Sequence, residues 1–207
     1  MDIKKQLIAA YNKDAKRRDE AEGKRELWKE EVRQNFVDLL KQEGKKSVLE
    51  LGAGAGFDSK YFQDEGFNIL ATDLSPEMVK MCKKRGLSAK VADLYNLSAL
   101  NQSFDAVFSM NVLLHVPRND LNHVLDNISD VLNKDGIFLY GVYGGQDKED
   151  TITDNSKMGM PRFFSFLTDE SLLKVVKDKF DVIDFRSVDI GSSRPNFHFQ
   201  ALTLKKK

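Results

Sequence analysis

From Ile3 to about Gln42 apolar residues recur at helical spacing. Ile3, Leu7, Ala10 and Tyr11 form one stretch, and Trp28, Val32, Phe36, Leu39 and Leu40 a second. Two amphipathic helices are expected, with Gly23 as the break between them. Their charged remainder reads as a solvated face. The second helix is expected to pack on a sheet and the first to cover the site. This divides the chain into an N-terminal helical cap or lid, 1–44, and a main domain, 45–207, within a single structural unit.

After Gly44 strand and helix patterns alternate, which argues for a largely parallel sheet covered on both faces. The fold class is α/β, doubly wound. Strands are expected at Val48 to Leu51, Asn68 to Thr72, Ala89 to Ala92, Asp105 to Met110 and Ile137 to Val142. Helices are expected from Phe57 to Glu65, from Pro76 to near Gly86, from Arg118 to Leu132, and from Asp169 to Asp178 behind Thr168. Ser75-Pro76-Glu77 supplies an N-cap, a proline at the first helical position and an acid in the first turn. Lys134-Asp135-Gly136 reads as a turn and Gly144 to Pro161 as a polar loop. Phe180 to Val188 and Phe197 to Leu204 read as strands whose short connection allows an antiparallel pair but no crossover helix.

The 207 residues suffice for one domain with a sizeable core and an appended segment. Lys+Arg and Asp+Glu both total 32, so there is no basic field for bulk nucleic-acid binding. Cys82 is the single cysteine and reads as a packing residue. His115, His123 and His198 lack metal-ligand spacing, so no metal is expected. With no apolar leader core and no run approaching a membrane span, a soluble cytoplasmic protein is expected.

Chemistry concentrates at the strand ends, where ligands of open α/β sheets sit. The first strand runs into Gly52-Ala53-Gly54-Ala55-Gly56. There Gly52 suits the tight turn, Gly54 a close approach of backbone to ligand, and Gly56 the packing of the next helix onto the strand. Asp73 lies about twenty residues beyond the turn, where one βαβ unit returns an acid to ribose hydroxyls; it also suits the start of the Leu74-Ser75-Pro76 turn. Asp93 beside Leu94 fits an adenine edge or a helix cap. Two features separate the nucleoside cofactors. The dinucleotide pattern wants a glycine at position 57, which is Phe, and Glu50 would repel a pyrophosphate but attract an ammonium group. Both favour S-adenosylmethionine, whose carboxylate the helix N-terminus would attract.

The chain here resembles the class I S-adenosylmethionine-dependent methyltransferases. The resemblance is carried by Leu49-Glu50-Leu51-Gly52-Ala53-Gly54-Ala55-Gly56, Thr72-Asp73-Leu74-Ser75-Pro76-Glu77-Met78, Val91-Ala92-Asp93-Leu94, and Phe104-Asp105-Ala106-Val107 running to Leu113-Leu114-His115-Val116. It implies a Rossmann-like seven-stranded sheet ordered 3-2-1-4-5-7-6, with strand seven antiparallel. It also implies that Gly52, Ala53 and Gly54 line the methionine part and Asp73 takes the ribose. Leu74 and Met78 would flank the adenine, Asp93 and Leu94 hold its edge, and Met110 and Asn111 approach the methyl donor.

Methyl transfer from a sulfonium needs alignment and exclusion of water more than acid–base help. Where an acceptor must lose a proton, His115 is the candidate catalytic base; the other reading has it capping the helix near Pro117 or shaping the pocket. The acceptor pocket is expected from the lid, which brings Tyr11 to the cofactor, and from Tyr143, Met158, Met160, Arg162, Phe163, Phe164 and Phe166. Phe163 or Phe166 would equally anchor that segment in the core, and Arg162 would pair with an acidic acceptor or with Asp154. Val112 after Asn111 gives no Asn-Pro-Pro-aromatic run, and no Pro-Cys nucleophile occurs, so a small-molecule acceptor is favoured over a nucleic-acid base. Two other readings are a nicotinamide oxidoreductase, opposed by Phe57 and Glu50, and a non-catalytic S-adenosylmethionine-binding protein.

Overall fold

The structure is a computed structural model that describes residues 2–20, 26–154 and 159–207. Gly23, the expected break, and Met158, an expected pocket residue, lie outside the described residues. The chain clusters into two compact units, Met1–Asp93 with Thr151–Phe163, and Leu94–Asp150 with Phe164–Lys207.

The first unit opens with α1 (Ile3–Glu20) and α2 (Leu27–Gln42), the two helices that the apolar spacing predicts. β1 (Ser47–Leu51), α3 (Phe57–Asp64), β2 (Asn68–Asp73), α4 (Pro76–Lys84) and β3 (Ala89–Val91) follow. β1 pairs with β2 and β2 with β3, both in parallel, from Ser47↔Asn68 to Leu51↔Thr72 and from Ala71↔Ala89 to Asp73↔Val91. Strand β1 is apolar at consecutive positions because Val48, Leu49 and Leu51 are all buried, as in a strand covered on both faces. Helix α2 meets α3 through Phe36 edge-on to Phe62 and through Arg33, which bonds Asp58 at 2.9 Å while its guanidinium lies over the Tyr61 ring. Truncating a buried ring such as Phe36 to Ala costs about 3–5 kcal/mol, so this contact fixes α2 in place. Ser75 caps α4 as predicted, its Oγ accepting from the Met78 amide at 3.2 Å.

The second unit contains a 3-10 stretch (Leu94–Leu100), β4 (Phe104–Met110), a 3-10 turn (Leu113–His115), α5 (Arg118–Val131) and β5 (Leu132–Gly144). After the strands β6 (Lys148–Thr153) and β7 (Pro161–Phe166) come α6 (Asp169–Val176), β8 (Phe180–Val188) and β9 (His198–Lys206). Strand β5 runs parallel to β4 and antiparallel to β9, and β9 is antiparallel to β8, the hairpin expected from their short connection. The sheet has seven strands in the order β3-β2-β1-β4-β5-β9-β8, which is 3-2-1-4-5-7-6 when its own strands alone are counted.

Two expectations are corrected. The segment from Gly144 to Pro161 is not all loop, since β6 and β7 form a separate two-stranded sheet. Strand β6 is mostly exposed, and without a buried face it shows no apolar alternation to read. Strand β5 starts at Leu132, not Ile137; the predicted Lys134-Asp135-Gly136 turn is an irregularity inside it, with Asp135 at φ +58° and the register jumping from Phe104↔Leu132 to Ala106↔Ile137. The 3-10 stretch from Leu94 is held by tertiary bonds, Asn127 Nδ2 donating to the Leu94 carbonyl at 3.0 Å and the Tyr95 hydroxyl to Asp120 at 2.8 Å.

Candidate cofactor and acceptor sites

In the first unit the glycine turn and the acid after β2 are one hydrogen-bonded assembly. The Gly54 amide donates to Asp73 Oδ2 at 2.9 Å and the Ser75 amide to Asp73 Oδ1 at 2.8 Å. Asp73 thus starts the turn into α4, one of its two sequence readings, and it also faces the glycines. The Leu74 amide also acts on the carboxylate, whose two oxygens offer about four acceptor sites in all. Burial pushes the Asp73 carboxyl above its ordinary value, against the amides of Ser75 and Gly54 and the charge of Arg18.

Gly54, at φ +56°, has nothing within 4 Å of the place a Cβ would occupy. That open face beside a carboxylate fits a nucleoside approaching the backbone. Gly56, at φ +86°, differs: a Cβ there would stand 2.8 Å from Leu87 Cδ1 and 2.9 Å from Cys82 Sγ. The close approach at Gly56 is thus to the region around α4, which corrects the expectation that it serves packing onto its own strand. Cys82 is buried, and burial, with the nearby Glu50 and Asp73, pushes its thiol up to about 12. Such a thiol stays protonated at neutral pH and acts in packing.

Glu50 is buried at the end of β1, where its carboxylate accepts the Ser59 hydroxyl and its carbonyl the Thr72 hydroxyl. Ala53 is buried, Leu74 half-buried and Met78 wholly enclosed in the α4 core. Asp93 bonds Lys4 of α1 at 2.7 Å.

Helix α1 is fastened onto this assembly by contacts that periodicity did not reveal. Asn12 Oδ1 accepts from the Ser75 hydroxyl at 2.6 Å and from the Glu77 amide at 3.4 Å, so it meets the start of α4. Arg85 bonds Asp19 of α1 at 2.6 Å and the Ala55 carbonyl at 2.8 Å. Tyr11 lies between two guanidiniums, Arg18 at 5.1 Å and Arg162 at 5.9 Å from its ring centre. Asp14 is buried against Arg17 and Arg18; burial pushes its carboxyl up, but the two guanidiniums outweigh that and hold it below its ordinary value. Asn12, Lys4, Arg18 and Ser59 are the polar residues that sequence reasoning missed. Only the Ser75 cap pointed toward one of their partners.

In the second unit Leu94 begins the 3-10 stretch and Met110 ends β4. Asn111 stands at φ +60°, its amide donating to the Gly141 carbonyl at 2.7 Å. His115 ends the 3-10 turn, its ring centre 4.9 Å from that of Phe164 and tilted 53° to it. The N-cap of α5 is Pro117, with no side-chain cap bond of its own. Phe164 stacks on Phe166, which is buried and edge-on to Phe197, so Phe166 is an anchor of this segment. Among the described residues no group of three or more His, Cys, Asp or Glu could hold a metal ion, and no helix is long and apolar enough to cross a membrane.

The seven-strand order matches the Rossmann-like methyltransferase fold. Residues 49–140 match the family described as Methyltransferase domain. The chain is 35% identical over 107 residues to the malonyl-[acyl-carrier protein] O-methyltransferase of Hamiltonella defensa, covering 49% of this chain and 41% of that protein. It thus spans about two-fifths of the length of that curated relative. Among solved structures, the magnesium protoporphyrin IX methyltransferase of Synechocystis PCC 6803, with bound S-adenosylmethionine, aligns at a TM-score of 0.71 and 15% identity over 100% of this chain and 98% of that one. The 1,6-didemethyltoxoflavin-N1-methyltransferase of Burkholderia thailandensis, with its namesake ligand and S-adenosylhomocysteine bound, aligns at 0.67 and 20% identity over 100% and 92%.

Proposed function

We propose that this chain is an enzyme that transfers the methyl group of S-adenosylmethionine to a small-molecule acceptor. The observation that carries the reading is the pairing of Gly54, open where a Cβ would stand, with Asp73, the acid whose carboxylate faces the glycines. The matched methyltransferase domain supports it, as do two structural neighbours named as methyltransferases of 1,6-didemethyltoxoflavin and of magnesium protoporphyrin IX.

The bound sulfonium supplies an already activated methyl group, so the protein's task is alignment and exclusion of water. Gly52, Ala53 and Gly54 seat the methionine part, Glu50 draws its ammonium directly or through water, and Asp73 bonds the ribose. Leu74 flanks the adenine, with Asp93 and Leu94 at its edge, while the enclosed Met78 supports Leu74's side of the site from the core. Helix α1 is the lid that brings Tyr11 to the cofactor. Met110 and Asn111 face the methyl donor, and His115 receives the proton that an acceptor sheds.

Calorimetric titration with S-adenosylhomocysteine and, separately, with a reduced nicotinamide dinucleotide tests the cofactor. Binding of the first and not the second is expected. The reverse would make the chain an oxidoreductase, and no binding of either would remove the reading.

A further inference from the structure

Arg85, the C-cap of α4, places one guanidinium against three elements of the first unit. Its central carbon lies over the Phe57 ring at the start of α3, 3.9 Å from the ring centre. Its Nε donates to the Ala55 carbonyl at 2.8 Å and its Nη2 to Asp19 Oδ1 of α1 at 2.6 Å. The side chain is 19% exposed, so these charge-assisted bonds stand largely out of water. The turn it holds has Gly52, Gly54 and Gly56 all at positive φ, a backbone with many alternatives once released. Ala53 fastens the front of that turn to β2, its amide donating to the Thr72 carbonyl at 2.8 Å. Arg85 fastens the back together with the Cys82 thiol, which donates to the Gly54 carbonyl at 3.3 Å. Asp19 is not favoured by its own helix, because it lies in the last turn of α1, where the helix dipole opposes an acid. It follows Asn12 by two helical turns and shares its face, the one that meets α4.

We propose that Arg85 is a positioning residue for cofactor binding, which ties the docked place of α1 to the shape of the glycine turn. The inference rests on the cofactor reading above and adds the group that links lid and turn. One planar guanidinium makes both bonds, so docking of Asp19 aims Nε at the Ala55 carbonyl, and an ordered turn aims Nη2 at Asp19. The turn is thereby set before the cofactor arrives, and binding does not have to supply that ordering. Linkage makes the effect reciprocal: docking of α1 strengthens cofactor binding by the same factor with which the cofactor strengthens docking. A lysine at this place keeps a charge for Asp19 but cannot lie flat on Phe57 and serve Ala55 at the same time.

Asp19→Asn tests the tie at a residue outside the turn, with Arg85→Ala, Arg85→Lys and the combination of Asp19→Asn with Arg85→Ala beside it. Each protein is checked for folding by circular dichroism, titrated with S-adenosylhomocysteine, and followed by hydrogen exchange over residues 3–20 and 52–56. Asp19→Asn should weaken binding about two- to fivefold and speed exchange of the glycine turn as well as of α1. Arg85→Ala should weaken binding roughly ten- to hundredfold. Arg85→Lys should restore protection of α1 but little of the affinity, and the double variant should bind no more weakly than Arg85→Ala alone. Glycine-turn exchange that ignores Asp19→Asn overturns the proposal. So do wild-type affinity in Arg85→Ala, full recovery of affinity by Arg85→Lys, or additive losses in the double variant, which would leave Arg85 and Asp19 as separate supports. Should Arg85→Ala not fold, exchange and affinity in Asp19→Asn decide alone. A wild-type protein that binds no S-adenosylhomocysteine ends the cofactor reading and this inference with it, whereas binding with unlinked exchange ends this inference only.

Discussion

The Gly54 amide and the Asp73 carboxylate are joined at 2.9 Å, so the acid that follows β2 also fixes the turn that follows β1. Asp73→Ala should therefore act on both binding and fold. Loss of charge-assisted bonds of about 1.5–3 kcal/mol predicts S-adenosylhomocysteine binding roughly ten- to hundredfold weaker. The melting temperature should fall as well, because two backbone amides lose their acceptor. Calorimetry and thermal unfolding read the two effects, and unchanged affinity would refute the ribose assignment.

The raised Asp73 carboxyl sets a pH dependence. Ribose hydroxyls bond the ionised form better, so cofactor affinity should be full above the raised pKa and decline as pH falls through it. The fall should thus begin above the ordinary Asp value of about 3.9. Stability without cofactor runs the opposite way at this residue, because a raised pKa means that protonation favours the folded state. Titrations of S-adenosylhomocysteine at stepped pH should show the decline in the wild type and its absence in Asp73→Asn; identical profiles would contradict this.

Asp14 has the opposite sign. Its carboxyl is held low, so the stability it contributes is present above the unfolded value of about 3.9 and is lost as pH falls through the lower folded value. Asp14→Asn should lower the melting temperature at neutral pH and lose that difference in strong acid. A difference that persists in strong acid would rule the ion cluster out as its source.

The two glycines of the turn should separate under substitution. Gly54→Val meets no protein atom within 4 Å of its new Cβ, so despite a strain of about 1–2 kcal/mol at φ +56° it should remain folded, by circular dichroism, while losing S-adenosylhomocysteine binding. Gly56→Ala would collide with Cys82 and Leu87 at a positive φ and should cost roughly 2–4 kcal/mol of stability. Normal binding by the Gly54 variant would make the turn purely structural.

For α1, hydrogen exchange with and without S-adenosylhomocysteine is the direct test. As a lid, residues 3 to 20 should gain protection on binding, and Asn12→Ala, which removes the acceptor for Ser75 and Glu77, should lower protection in the ligand-free protein. Exchange that ignores the ligand would make the helix a fixed appendage.

His115→Ala should reduce turnover about 10²–10⁴-fold with cofactor affinity unchanged. Near-wild-type turnover would leave His115 as a wall against Phe164.

The sheet was legible because β1 and β4 are buried nearly throughout and the Ser75-Pro76-Glu77 cap marks its helix without tertiary help. Strand β6 was not, since an exposed strand carries no apolar period. At the cofactor side Gly54 and Asp73 were readable from spacing, whereas Asn12 and Lys4 meet their partners only after α1 folds over.

The central claim is methyl transfer, and isotopic transfer measures it most directly. With methyl-labelled S-adenosylmethionine and a protein-free metabolite extract, label should enter a small molecule in step with the formation of S-adenosylhomocysteine. Tight S-adenosylmethionine binding with neither product formed would contradict the account and leave a cofactor-binding protein without this activity.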